Sequence, residues 1–279
     1  MKKLFALLLA LVMALSLVAC GEKKDDTGDK TDDSNPSTGM ELTQATDLVI
    51  ATGGTSGAWY PIGVSIADTL TNVDNNLFVT SEVTNGGVEN ARLLGTHAAN
   101  VGFVNSDTAY FATHSEDAFA SEPAYELYGL ANLYDSVLEI AVLADSGINS
   151  IADLAGKRVV VGTPASSAST MGWTVLGTYG LTDKDVKGSE LSIAEGVEAL
   201  KNGDVDCVFI FSAAPNSALT ELSVTKNFKL LSIDEEHQKA AIEQHSYFST
   251  ATLSAGLYTC TSEDTTTLAM PTLLACDSS

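Results

Sequence analysis

Leu48-Val49-Ile50-Ala51-Thr52-Gly53-Gly54-Thr55-Ser56-Gly57-Ala58-Trp59-Tyr60-Pro61-Ile62-Gly63 is the stretch on which the reading of this chain turns. An apolar run of one strand's length ends in a hydroxyl- and glycine-rich loop, and helical spacing begins at about Pro61. Proline suits a first helical turn, where a missing N–H costs nothing. Glycine lets backbone approach a ligand closely. A strand entering a helix through such a loop aims free N–H groups and the positive end of the helix dipole at one spot, which attracts an anion. The same pattern also describes an ordinary tight strand-to-helix turn.

The pattern recurs. Leu77 to Val83 alternates as a strand, Thr84-Asn85-Gly86-Gly87-Val88-Glu89-Asn90 forms a turn, and a helix follows through Leu94. Val101 to Val104 then leads into Asn105-Ser106-Asp107, where Asp107 is a plausible N-cap. Three strand ends delivering polar loops to one edge is how open α/β sheets bind ligands.

Glu126–Ala131 and Val137–Ala144 read as two strands with Tyr134 in the loop between them. A second series starts at Arg158-Val159-Val160-Val161, passes through Thr163-Pro164-Ala165-Ser166-Ser167-Ala168-Ser169 and continues as a helix over roughly Thr170–Tyr179. A helix over Ala194–Asn202 stops at Gly203. A buried strand around Cys207 runs into Phe211-Ser212-Ala213-Ala214-Pro215, with Pro215 opening another helix. Phe228–Ile233 reads as a strand, Glu235–Gln244 as a helix, and extended segments return from Phe248. The expectation is an α/β fold of two lobes with a ligand cleft between them. Residues 47–143 plus 252–279 make lobe I and 144–251 lobe II, with crossings near Leu143–Asp145 and Thr250–Ala255.

The ends bound the compartment. Lys2 and Lys3 precede an apolar run, and Leu17-Val18-Ala19-Cys20 resembles the bacterial lipobox, so residues 1–19 read as a signal peptide and Cys20 as the lipidated residue. The apolar run is short for a membrane span. Residues 20–46 are polar and poor in apolar side chains, which predicts a solvated tether. This places the protein outside the cytoplasm, anchored to the cell membrane as a lipoprotein.

The net charge is −22, and loss of the leader with its two lysines makes it −24. Nucleic acid and anionic lipid surfaces are poor partners for such a chain. A local cluster of N–H groups still outweighs distant, screened charge, so anion binding is compatible with it. Cys207 reads as a packed thiol, while Cys260 and Cys276 either pair or stay free. The cysteines and the four histidines show no metal-ligand spacing, and no cofactor is expected.

Together these motifs resemble the TAXI family, the extracytoplasmic solute receptors of a class of TRAP transporters. The resemblance is carried by ATGGTSGAWYPIG (51–63), EVTNGGVENARLL (82–94), VGFVNSDTAY (101–110), ADSGINSIADLAGKRVVVGTP (144–164) and GDVDCVFIFSAAP (203–215). It implies a type II periplasmic-binding-protein fold, a monomer that closes on a small anionic solute such as glutamate, glutamine or a dicarboxylate, and membrane-embedded TRAP subunits as partners. Carried onto matching positions, the solute contacts would come from Thr55, Ser56, Gly57 and Tyr60, and from Asn85, Gly87, Val88, Glu89 and Asn90. Asn105, Ser106, Asp107 and Tyr134 would add to them. The second lobe would supply Thr163, Ser166, Ser167, Ser169, Phe211 and Ser212. Two departures stand out. The family's Gly-Ser-Gly-Thr-Glu type of loop is here Ala165-Ser166-Ser167-Ala168-Ser169, without the acidic residue. Relatives also continue into further C-terminal helices, whereas this sequence stops at Ser279, so uncovered apolar surface on the first lobe is expected.

Each candidate also has a structural role open to it. Glu89 suits a helix N-terminus, the asparagines suit turns, and the serines of 166–169 are good caps. Arg92 and Arg158 are the only arginines, and no bidentate carboxylate clamp is evident. The rival class is an exported hydrolase with Ser56, Ser106 or Ser167 as nucleophile and His97 or His114 as base. No Gly-x-Ser-x-Gly elbow accompanies them, and a non-enzyme is expected. An anchored sensor domain reporting to a membrane partner is the third class.

Overall fold

The computed structural model describes residues 42–164 and 166–277. The signal peptide, Cys20 and most of the expected tether lie outside the described residues. Leu42 already belongs to the fold: its N–H donates to Asp74 Oδ2 at 2.8 Å, and Asn76 Nδ2 donates to its carbonyl at 2.6 Å.

Ten strands form one mixed sheet. In the first half, β1 (Thr46–Ala51) lies parallel between β2 (Leu77–Glu82) and β3 (Val101–Asn105). In the second, β5 (Arg158–Val160) lies parallel between β6 (Lys187–Ser189) and β7 (Cys207–Ser212). Two long strands join the halves, β4 (Leu127–Leu143) and β10 (Thr265–Asp277). They pair antiparallel to each other, with β10 against β3 on one side and β4 against β7 on the other. Short β8 (Phe228–Leu230) and β9 (Ser249–Leu253) pair with β4 and β10.

The helices are α1 (Trp59–Thr71), α2 (Gly87–Gly95), α3 (Ser106–His114), α4 (Ser167–Thr178), α5 (Ile193–Asn202), α6 (Ser217–Thr225) and α7 (Glu235–Gln244). Parallel strands need long crossovers, so the helices fall on both faces of the sheet and the strands are apolar on both sides. On β7, Cys207 and Phe209 enter one core with Val159, Met171 and Met270, while Val208 and Ile210 enter another with Val160, Leu219 and Phe228. On β3, Phe103 packs with Ile50 and Ala67, and Val104 with Ala51, Leu94 and Phe119. Each half thus has its own pair of cores, which makes two lobes.

Several expectations need correction. The strands expected at 126–131 and 137–144 are one continuous strand, because β10 gives β4 a partner from Leu127↔Asp277 to Val137↔Ala269 with only local register shifts. Tyr134 is therefore in a strand, opposite Thr272, and not in a loop. Along β4, strand pairing changes partner at Val137, where β7 takes over through Ser212. Helix α1 begins two residues before Pro61, α4 at Ser167 and α6 at Ser217, two residues beyond Pro215. Cys207, Cys260 and Cys276 are all free thiols.

Candidate functional site

The loops after β1, β2, β3, β5 and β7, with the start of α5 after β6, meet at one cavity between the lobes, of about 90 Å³. The first lobe lines it with Gly53, Gly54, Gly57, Ala58, Trp59, Asn85, Gly86, Gly87 and Asn105. The second contributes Thr163, Ser166, Ser167, Ala168, Ile193, Phe211 and Ser212. None of these carries a charged side chain. Polarity comes from hydroxyls, two amides and backbone.

Helix ends dominate that backbone. The N-cap residues of α1, α2, α3 and α4 are Ala58, Gly86, Asn105 and Ser166, and in none does the side chain accept a capping hydrogen bond. By contrast, Ser192 caps α5 through the Glu195 N–H and Asn216 caps α6 through the Ala218 N–H. The first turn of a helix has N–H groups without intrahelical acceptors. With no N-cap side chain on them, first-turn donors remain open at these starts, apart from the Thr108 N–H of α3, which Asp107 Oδ1 accepts at 2.5 Å.

Local rules explain these starts. Gly86 has φ +116°, and Gly162, between β5 and α4, has φ +134°. A Cβ on Gly162 would lie 2.6 Å from Ala168 C and Ser169 N. Only glycine lets the β5 end approach the first turn of α4 this closely. Ser166 turns its hydroxyl back to Thr163 O at 2.6 Å, tightening the same loop.

Asn90 organises the first lobe from below. It is fully buried, and its Nδ2 donates to Thr52 O at 2.6 Å and to Phe103 O at 2.7 Å. Its Oδ1 accepts from Thr84 Oγ1 at 2.7 Å. One amide therefore ties the ends of β1, β2 and β3 to α2. Trp59 stacks on Phe103 with centroids 5.8 Å apart, which sets its ring in the wall.

The lobes touch on two sides of the cavity. On one, Ser167 Oγ donates to Asp107 Oδ1 at 2.8 Å and lies 3.1 Å from Thr108 Oγ1. On the other, Ser56 O accepts from Ser217 Oγ at 3.1 Å and from Asn216 Nδ2 at 3.4 Å. Burial pushes the Asp107 carboxyl up to about 6, opposed by hydrogen bonds from Ser167 and Thr108. Asp107 thus does not serve as the N-cap of α3, a position held by Asn105.

Of the residues expected at the site, Gly57, Asn85, Gly87, Asn105, Thr163, Ser166, Ser167, Phe211 and Ser212 line the cavity. Val88, Asp107 and Ser169 border a second cavity of about 140 Å³, which shares Ser166 and Ser167 with the first. Thr55 and Ser56 border an outer groove against α5 and α6. Tyr60, Glu89, Asn90, Ser106 and Tyr134 lie outside these linings. Glu89 Oε2 accepts from Asn85 N at 2.7 Å and Nδ2 at 2.9 Å, holding the turn. The Ser106 and Tyr134 hydroxyl oxygens are buried.

Both arginines are engaged elsewhere, Arg92 with Glu122 at 2.8 Å and Arg158 with Asp206 at 2.6 Å. His97 pairs with Asp277, and His114 stacks on Tyr110 at the far end of α3. Trp59, Gly53, Gly54 and Ala58 join the cavity from the opening loop, and Ile193 enters unexpectedly. The signal for Ile193 was legible: Ser192-Ile193-Ala194-Glu195 has the spacing of a capping box, which places a helix start there.

The model of the NMT1-like family matches residues 50–279. The chain belongs to the NMT1-like family. Among solved structures, this NMT1-like protein is similar to the alkanesulfonate-binding protein SsuA from Xanthomonas axonopodis pv. citri bound to MOPS. That match has TM-score 0.50 and 20% identity, over 70% of this chain and 63% of that one. A protein from Bordetella bronchiseptica RB50 gives TM-score 0.52 at 16% identity, over 83% of this chain and 64% of that one. The effector-binding domain of QuiR in complex with shikimate gives 0.51 at 11%, over 84% and 88%. These likenesses establish the fold, an α/β two-lobed arrangement of the periplasmic-binding-protein type. The chain spans less than two thirds of the length of the first two proteins.

Proposed function

We propose that this NMT1-like protein is a solute receptor that closes its lobes on a small anion and hands it to membrane-embedded transport subunits. The observation that carries this reading is the convergence of four uncapped helix N-termini, three from one lobe and one from the other, on a cavity without a charged side chain. Such an arrangement favours an anion through backbone N–H groups alone. Because both lobes supply these groups, the anion favours the closed state over the open one, which is the differential affinity a closing receptor needs.

The finer assignment to a TAXI-type TRAP system rests on the motifs quoted above, as do the solutes they imply, glutamate, glutamine or a dicarboxylate. The SsuA likeness adds sulfonates to the panel. Lipid anchoring rests on Leu17-Val18-Ala19-Cys20. We place the lobe boundaries where strand pairing changes partner, at Val137 on β4 and between Ala269 and Thr272 on β10, inward of the boundaries expected from sequence.

Thermal unfolding of the purified protein against a panel of carboxylates and sulfonates tests the reading. A ligand of the folded state raises the midpoint by an amount set by its concentration over its Kd. Saturable shifts with one or a few small anions are expected. Their absence across the panel overturns the anion-receptor reading.

A further inference from the structure

We infer that the solute is a compact anion without an ammonium group, so that the cavity selects oxo, hydroxy or sulfonic acids over amino acids. This rests on the receptor reading and narrows its substrate class.

A zwitterionic amino acid presents two opposite charges a few ångströms apart, and a closed site has to stabilise both. A buried ammonium without anionic or well-placed acceptor partners is costly. Among the described residues lining the cavity there is no carboxylate. Three nearby carboxylates are turned to other tasks. Glu89 holds Asn85 through its Oε2. Asp107 accepts from Ser167 and Thr108 and faces the neighbouring cavity. Glu190 accepts from Ser169, also on that neighbouring cavity.

What does face the solute repels a cation. The N-cap residues of α1, α2, α3 and α4 all line the cavity, and the positive ends of α1 and α4 have no acidic side chain in their first turns. Against these ends the lining offers an ammonium only neutral hydroxyl and amide oxygens, with no carboxylate among the described lining residues. The volume of about 90 Å³ is small beside the 300–1,000 Å³ of typical ligand pockets, which favours a compact solute.

Matched pairs differing only at the amine test this directly. Calorimetric or thermal-shift titrations compare 2-oxoglutarate with glutamate, glycolate with glycine, and ethanesulfonate with taurine. The amine-free member of at least one pair should bind, with its amino twin at least about 30-fold weaker, within the range set by burying a polar group unpaired. An amino twin that binds as well or better overturns this inference and leaves the receptor reading standing. Silence from both members of every pair overturns both. Ser166→Asp supplies a second arm, because Asp is a good N-cap and the substitution is compatible with α4. It should weaken the amine-free ligand and move the ratio toward the amino twin. An unchanged ratio in folded S166D protein places the solute elsewhere and overturns the inference.

Discussion

Ser167 Oγ on α4 donates a 2.8 Å hydrogen bond to Asp107 Oδ1 on α3, joining the two lobes beside the cavity at a carboxylate only 2% exposed. Burial favours the neutral acid in the closed fold, so the folded value of about 6 stands above the ordinary 3.8. The associated stability is fully present below pH 3.8 and is lost as pH rises through about 6. Asp107→Asn should flatten the pH dependence of urea midpoints across that window. An unaltered slope would show that Asp107 titrates as it does in the unfolded chain.

Removing the donor acts in the opposite sense on the same group. Ser167→Ala deletes a hydrogen bond that favours the ionised form, so the Asp107 value should rise further. Stability at pH 7.5 should drop by about 1.5–3 kcal/mol, the range for a bond to a charged partner. Carbonyl NMR titration of labelled aspartate reads the first effect and chemical denaturation the second.

Glu139 sets up a second pH-dependent element. It is fully buried on β4, Oε1 accepts from Tyr258 OH at 2.5 Å, and Oε2 is buried without a partner. Burial pushes its carboxyl from 4.5 up to about 7. Its contribution is therefore complete below pH 4.5 and lost as pH climbs through about 7. Glu139→Gln should make the protein more stable than wild type at pH 8 and closer to it at pH 4.5. Thermal midpoints at the two pH values check this, and a destabilised variant at pH 8 would refute it.

Tyr258 links that buried acid to the lobe contact. Its hydroxyl accepts from the Asn216 N–H at 2.6 Å, and Asn216 Nδ2 reaches Ser56 O across the cleft. Tyr258→Phe leaves a buried N–H and a buried carboxylate oxygen unpaired, a loss of about 2–4 kcal/mol. The double variant with Glu139→Gln should recover part of that loss, which a double-mutant cycle measures directly.

Asn90 should be far more sensitive than its neighbours in the same turn. Asn90→Ala removes three buried side-chain hydrogen bonds and leaves Thr52 O and Phe103 O without this donor. A loss of about 3 kcal/mol or more is expected. Glu89→Ala, on the exposed side of α2, should cost about 1 kcal/mol or less. Similar losses for the two would contradict the placement of Asn90.

The cadence of apolar strand, glycine-bearing loop and helix determined the α/β class, the two series and the edge of the sheet where loops gather. Those features follow from local propensity and from the geometry of parallel strands. Gly203 as a helix stop and the 235–244 helix were legible for the same reason. Only the tertiary structure decided which loop residues face the cavity. Asn85 and Asn90 are five positions apart in one polar turn, yet one lines the cavity and the other is sealed beneath three strands. The continuity of β4 likewise depended on β10, 138 positions along the chain at the Thr272–Tyr134 pair, whose hydrogen bonds no local pattern records. The Asp107–Ser167 contact arises from how two lobes meet, so burial raises that carboxyl where the sequence offered a cap or a solute contact. Local periodicity specifies elements; the opposing lobe specifies which of their polar groups lose water.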